Sequence, residues 1–201
     1  MKEVIVLDVD QVLLDYYSGF AEWYKENYEY SLLGYPKAWS MTEWLGLPHD
    51  EVLRLTEEFA LTKEFGKLDA TAGAVCAVEV MIDLGYDIVC VTSCGTDSIT
   101  KTNRHTNLYN HFGNVFSEII MLKGTESKKD TLLHLCEKYN VIGFVDDKYD
   151  NIADAKAAGI KNSIQIRVFK HKGRITWVKC LALLAGAGEP PCMEVLSMKT
   201  S

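Results

Sequence analysis

Basic residues are in deficit. Against 28 acids the 201 residues set only 21 lysines and arginines, for a net charge of −7. That balance excludes a broad electrostatic footprint for extended nucleic acid or an anionic membrane, and leaves room only for a local basic pocket. Long apolar runs are missing too, and none approaches the roughly 20 residues of a membrane span. Apolar residues begin at Val4 and an acid interrupts them at Asp8, so no signal peptide is expected ahead of the first strand. None of the six cysteines, Cys76, Cys90, Cys94, Cys136, Cys180 and Cys192, forms a C-x-x-C pair, and no histidine is spaced to complete a zinc site. Cys90 lies inside an apolar run and reads as a buried thiol. There is no internal repeat and no low-complexity segment, and a reducing cytoplasm is the expected compartment. What is present is ordinary: 48% hydrophobic and 24% charged residues, enough for one domain with a real core and a small insert.

Five short apolar runs, at 4–7, 87–92, 118–122, 141–145 and 163–169, read as strands buried on both faces. Between them lie helical patterns. One at 74–84 stops at Gly85, one at 98–112 starts at a possible Ser98 cap, one at 127–139 starts at Ser127, and one at 151–158 ends at Gly159. Strands alternating with helices predict a doubly wound α/β domain with a parallel, Rossmann-like five-stranded sheet. The alternation breaks between the first two strands. Helical patterns at 16–28, 41–47 and 50–61, punctuated by Gly34, Pro36, Gly46 and Pro48, read as a helical insert. The expected division is a core of 1–14 and 67–186, an insert of 15–66 and a tail of 187–201, with a closing helix at 177–185.

In doubly wound sheets sites form beyond the carboxyl ends of the strands. The first strand ends in Asp8-Val9-Asp10, the second in Thr92-Ser93 and the fourth in Asp146-Asp147, while Lys128 and Lys129 sit at a predicted helix start. Four carboxylates in one place repel one another, so a cation is expected among them. Oxygen ligands alone suit magnesium, which keeps several waters and accepts a phosphate oxygen. A lysine at a helix start opposes the helix dipole, and an anion-binding task would explain it. Each piece alone has an ordinary structural reading: D-x-D as a turn or cap, D-D as solvated loop, Thr-Ser as turn chemistry. Their ordered occurrence at successive strand ends favours the functional one.

The same residues carry a resemblance. Leu7-Asp8-Val9-Asp10-Gln11-Val12-Leu13 resembles the first motif of the haloacid dehalogenase (HAD)-like phosphatases, and Ile88-Val89-Cys90-Val91-Thr92-Ser93 the second. Lys128, in Ser127-Lys128-Lys129-Asp130-Thr131-Leu132, resembles the third. Gly143-Phe144-Val145-Asp146-Asp147, with Asn151 to Ile160 behind it, resembles the fourth. The likeness spans residues 3 to about 170 apart from the insert. It implies a magnesium-dependent phosphohydrolase. Asp8 would be the nucleophile that forms an aspartyl-phosphate, and Asp10 the acid and then the base. Thr92, with backbone N–H groups near Ser93, would bind phosphoryl oxygens. Lys128 would stabilise their charge, with Lys129 and Lys123 as alternatives. Asp8, the backbone carbonyl of Asp10 and Asp146 would hold the metal, with Asp147 acting directly or through water. Asp10 favours phosphate esters, because relatives that dehalogenate carbon have no alkoxide to protonate. Gln11, where glycine or threonine is commoner, would border the entrance.

The resemblance makes the insert a cap that closes over a small phosphate ester. It is rich in aromatics, among them Phe20, Trp23, Tyr24, Trp39 and Trp44. Most would form the cap's own core, and Trp23 and Trp44 are the candidates to stack on a nucleobase. Among capped relatives the sequence is most similar to the deoxyribonucleotidases, through Asp8-Val9-Asp10, the size of the cap, Phe65 and Leu68 before Gly73-Ala74-Val75, and Asp146-Asp147-Lys148 followed by Asp150. A phosphatase for a sugar phosphate or a polynucleotide end is the alternative, and the acidic balance disfavours the latter. A non-catalytic phosphate-binding regulatory module would have no need of both Asp8 and Asp10. A receiver domain would place its phosphoacceptor after the third strand, where Leu122-Lys123 offers no acid.

Overall fold

The computed structural model describes residues 2–28, 30, 32, 36, 40–166, 177, 180, 181 and 184. Five strands, β1 (Glu3–Leu7), β2 (Asp87–Thr92), β3 (Phe116–Met121), β4 (Asn140–Asp146) and β5 (Asn162–Gln165), form one sheet in the order β3-β2-β1-β4-β5. All four pairings are parallel. The sheet is therefore doubly wound as the alternation predicts. β1 lies at its centre, with β2 and β4 on either side.

Alternation along the strands buries both faces. Ile5 and Leu7 turn to one side, with Ile88, Cys90 and Val145, onto α4 (Ala74–Asp83), α5 (Ser98–Phe112) and the residues Trp177, Cys180, Leu181 and Leu184. Val4 and Val6 turn to the other, with Val89, Val91 and Phe144, onto α6 (Lys129–Lys138) and α7 (Tyr149–Ala157). Gly143 in β4 sits under Leu184, in the space a Cβ would fill.

The inserted segment is helical: α1 (Tyr16–Tyr28), α2 (Met41–Leu45) and α3 (His49–Ala60), followed by a 3-10 turn at Phe65–Lys67. Its rings pack on one another, with Phe20 and Phe59 fully buried and their centroids 5.4 Å apart, edge to face. This aromatic cluster is continuous with the first face of the sheet core. α5 binds the insert's exit through backbone carbonyls: Asn103 Nδ2 donates to Thr62 O at 2.7 Å, Asn107 Nδ2 to Phe65 O at 3.1 Å and Thr100 Oγ1 to Ala60 O at 3.3 Å.

Element boundaries differ from expectation where local chemistry decides them. α2 ends two residues early because Gly46 takes a left-handed cap (φ 67°). α5 is capped by Asp97, which accepts from Thr100 N at 2.9 Å, rather than by Ser98. Gly85 and Gly159 are left-handed, at φ 86° and 90°, as their stop positions require. The expected extension of the last strand to 169, the full closing helix, the tail from 186 and Trp39 lie outside the described residues. Among those described, no helix is long and apolar enough to cross a membrane.

Gly19 shows how closely α1 is seated, since a Cβ there would run into Leu68 Cδ2. Glycine inside a helix costs about 0.5–1 kcal/mol relative to alanine, whereas overpacking a core costs typically about 1–3 kcal/mol. Gly19→Ala is therefore expected to lower stability by about 1 kcal/mol and the melting temperature by about 2–4 °C. Thermal denaturation checks this; a raised melting point would mean that Leu68 yields and helix propensity decides.

Candidate active site at the carboxyl edge of the sheet

The centre of the site follows from strand order. Leu7 is level with Cys90 of β2 and Val145 of β4, so the next residues, Asp8 and Asp146, lie side by side. Asp8 N still donates to Val145 O at 2.9 Å, which extends the ladder one residue beyond β1 and fixes the Asp8 backbone. The chain then folds back sharply. Leu13 N and Leu14 N both donate to Val9 O, at 2.8 and 2.9 Å, and Gln11 N donates to Leu14 O at 2.8 Å. This turn needs a left-handed residue, and Gln11 supplies it at φ 61°, the one non-glycine with positive φ among the described residues. Its side chain is buried and donates to Asp15 Oδ1 at 3.3 Å, so it supports the turn instead of bordering an entrance.

Lys128 completes the centre. It stands at the start of α6, 2% exposed, and its Nζ donates to Asp8 Oδ1 at 2.6 Å and to Asp146 Oδ2 at 2.7 Å. Lys129 and Lys123 are exposed and do not join it. Burial works to lower the Lys128 pKa, but the charges of Asp8 and Asp146 outweigh it and hold the ammonium above its ordinary range. Ser127 serves as a local brace, accepting from Lys129 N and donating to Asp154 Oδ2 at 3.0 Å. Asn151, one turn into α7, donates to both oxygens of Asp146 at 3.0 Å, and Lys148 N to Asp146 Oδ1 at 2.8 Å. Asp147 is the third acid, also buried.

Asp8, Asp146 and Asp147 each offer a carboxylate oxygen, and these lie within 4.8 Å of one another. Burial pushes the Asp146 and Asp147 carboxyls up, and the charge of Asp8 adds to it; for Asp147 the rise is large. Three buried hard oxygens in this arrangement fit a small divalent cation such as magnesium. Thr92 closes the fourth side at the end of β2. It is fully buried, and its Oγ1 has no hydrogen-bond partner. A buried hydroxyl left without a partner at the end of the strand next to β1 suits an incoming anionic oxygen. Ser93 follows it, half-buried.

Asp10 does not join the metal-ligand cluster through its carboxylate, which points to Arg104 of α5. Arg104 Nη2 donates to Asp10 Oδ1 at 2.6 Å and Oδ2 at 2.8 Å. Burial opposes the guanidinium charge, and Asp10 together with the nearby Cys94 thiol more than offsets it. Sequence reasoning missed Arg104, because 94 residues separate the partners and a lone arginine in a helical pattern reads as surface. Tyr17 of α1 was also missed. Its phenol is pushed up by burial and then by the charges of Asp147, Asp10 and Asp8.

The two expected stacking rings part company. Trp23 is 3% exposed, packed against Phe20 and Phe59 at centroid distances of 5.4 and 5.2 Å, and has no face left for a ligand. Trp44 is half-buried, stands edge-on to Tyr17 at 5.5 Å, and its buried indole N–H has no partner.

Crowded buried acids lead to a stability test. Asp147→Asn is expected to raise the melting temperature in chelator, since it removes one of three like charges. In the parent, magnesium at about 100 times its dissociation constant should add about 2.7 kcal/mol, or roughly 5–10 °C. The variant should lose most of that increment. Differential scanning fluorimetry with chelator and with magnesium checks both; an undiminished increment in the variant would remove Asp147 from the cation site.

No protein-family model matches the sequence. An uncharacterized 32.4 kDa protein of Enterobacteria phage T4, from the Gp30-rIII intergenic region, is 30% identical over 158 residues, which is 73% of this chain and 54% of that protein. The chain thus spans about half the length of that curated relative. Among solved structures, a Thermotoga maritima protein assigned as a β-phosphoglucomutase aligns over 94% of this chain and 100% of its own, with a TM-score of 0.61 and 18% identity. A haloacid dehalogenase-like family protein from Streptococcus pneumoniae aligns over 83% and 85%, at 0.58 and 14%. CbbY from Rhodobacter sphaeroides, solved with xylulose-(1,5)bisphosphate, aligns over 86% and 90%, at 0.51 and 17%. The chain has the haloacid dehalogenase-like fold.

Proposed function

We propose that the protein is a magnesium-dependent phosphomonoester hydrolase that works through an aspartyl-phosphate on Asp8. The observation that carries this reading is Lys128 Nζ bonded at once to Asp8 and Asp146, with the unpartnered Thr92 hydroxyl ending the adjacent strand β2. A phosphoryl group seated between them would find a nucleophile, a fixed cation and a hydrogen-bond donor, all held on strand ends or a helix start. Phosphoryl transfer needs chiefly this positioning and charge neutralisation.

An Asp8 oxygen forms the bond to phosphorus while the ester P–O bond breaks with its electrons on the leaving oxygen. That oxygen takes the proton of the Asp10 carboxyl. Water then attacks phosphorus and gives its proton to Asp10, and the P–O bond to Asp8 breaks to restore the carboxylate. Lys128 and Thr92 bind the non-bridging oxygens throughout, with backbone N–H groups near Ser93. Asp8, the Asp10 carbonyl, Asp146 and Asp147 would hold magnesium, which supplies charge neutralisation at the phosphate when bound.

Residues 15–66 act in this reading as a cap on a core of 1–14 and 67–186. The ester it selects is a nucleoside monophosphate, with a deoxyribonucleotide first. Trp44, which is half-buried, keeps an unpartnered indole N–H and stands edge-on to Tyr17, supports this. A sugar phosphate is the second reading, favoured by the likeness to CbbY, which was solved with xylulose-(1,5)bisphosphate.

Two outcomes are expected. Asp8→Asn should cut hydrolysis of phosphate monoesters by roughly 10³-fold or more while the fold persists, and chelator should abolish the parent's activity; residual activity within a few-fold of the parent would sink Asp8 as nucleophile. A base stacked on Trp44 is worth about 1–3 kcal/mol, so kcat/KM for deoxynucleoside monophosphates should exceed that for a sugar phosphate of equal charge by roughly five- to a hundred-fold. Trp44→Leu should erase the preference, whereas Trp23→Leu should lower stability and leave the ratio alone. Equal efficiency of the parent on both classes would favour the sugar phosphate.

A further inference from the structure

Arg104 is a fully buried arginine for which packing alone offers no reason. It lies on α5 with its guanidinium carbon 4.2 Å from the centroid of the Phe65 ring. One nitrogen, Nη2, serves both oxygens of Asp10, while Nε and Nη1 are buried without hydrogen-bond partners. A buried ion pair is often replaceable by apolar side chains at no cost in stability, and this one leaves donors unsatisfied as well. The arrangement satisfies the carboxylate at the expense of the guanidinium. Its surroundings hold the arginine rigidly. Asn107, three residues on along the same face of α5, donates to Phe65 O, and Asn103 ties α5 to Thr62 O. The Phe65 ring, fixed in this way, backs the guanidinium.

We propose that Arg104 is the positioning residue of the reaction: it holds the Asp10 carboxyl in the one orientation from which it can reach the leaving oxygen. The inference rests on the phosphohydrolase reading and deepens it. Arg104 touches neither the phosphoryl group nor the leaving group and acts only through Asp10. The chemical consequence is specific. Cleavage of the P–O ester bond leaves electrons on the departing oxygen, and the proton from Asp10 matters in proportion to how basic that oxygen is. An ester whose leaving group is stable as an anion needs little help; a more basic one needs much.

The experiment compares 4-nitrophenyl phosphate with phenyl phosphate, which differ in leaving-group basicity and little in bulk. The quantity is kcat/KM in saturating magnesium, which reports the step that transfers phosphorus to Asp8. General acid catalysis contributes about 10²–10⁴-fold. Arg104→Met is therefore expected to lose about 100-fold on phenyl phosphate and less than about 10-fold on 4-nitrophenyl phosphate, with Arg104→Lys recovering part of the difference. A purely structural role would lower both esters equally, so a ratio unchanged within about twofold overturns the proposal while the phosphohydrolase reading stands. If the parent hydrolyses neither of these esters nor a deoxynucleoside monophosphate or sugar phosphate, that reading fails and takes the proposal with it. Circular dichroism and melting establish that each variant folds. Should Arg104→Met not fold, Arg104→Gln, which keeps polarity and loses reach, carries the same comparison with the same two outcomes.

Discussion

Lys128 reaches two carboxylates that the sheet brings together and that would otherwise repel each other. β1 and β4 are neighbours at the centre of the sheet, and their carboxyl ends place Asp8 and Asp146 side by side whatever the side chains prefer. Taking these ions out of water costs several kcal/mol each. The contact is therefore poor evidence of stabilisation and good evidence of a task. Much of the surrounding structure serves it: Asn151 and Lys148 N hold Asp146, the turn through Gln11 fixes Asp8 and Asp10, and Ser127 braces the start of α6. Burial and then the charges of Asp8 and Asp146 push the Asp147 carboxyl well above its ordinary range.

How far this was legible depended on whether the signal was local. The central strands β1 and β2 and the end of β4 show up as apolar runs because burial on both faces leaves little room for polar residues, whereas the edge strand β3 is only half-buried and carries Ser117 and Glu118. Asp8, Thr92, Lys128 and Asp146 were legible because each ends or directly follows a strand or stands at a helix start, and the fold brings such positions to one edge. Arg104 was not. Its partner is distant in the chain, and the inner face of α5 is polar, with Thr100, Asn103, Arg104 and Asn107 all turned inward. Hydropathy takes such a face for a solvated one. The aromatic insert fails for a different reason. Composition identifies a cluster of rings but not which ring lies at its edge, so Trp23 and Trp44 look alike until packing separates them. Caps and boundaries shift by a residue or two where one side chain outcompetes its neighbour, as Asp97 does Ser98.

The insert and the sheet core share one continuous apolar cluster, and the site lies where they meet. Arg104 of α5 joins the two, pairing with Asp10 just past β1 and lying over the ring of Phe65 at the insert's exit. In the proposed reading, substrate choice and chemistry fall to different parts of the chain, and α5 ties them together through the buried side chains of Thr100, Arg104 and Asn107.

The bonds from α5 to the insert have an evolutionary consequence. Asn103, Asn107 and Thr100 grip the carbonyls of Thr62, Phe65 and Ala60, and a carbonyl is the same on every residue. The seam therefore makes few demands on the identity of the side chains that pass through it. Substitutions at exposed positions of α1 to α3 could accumulate without unfastening these bonds, while the buried rings and Gly19 stay tied to the shared apolar cluster. At the seam Phe65 is the exception, since its ring backs Arg104, and drift in this lineage should stop there first.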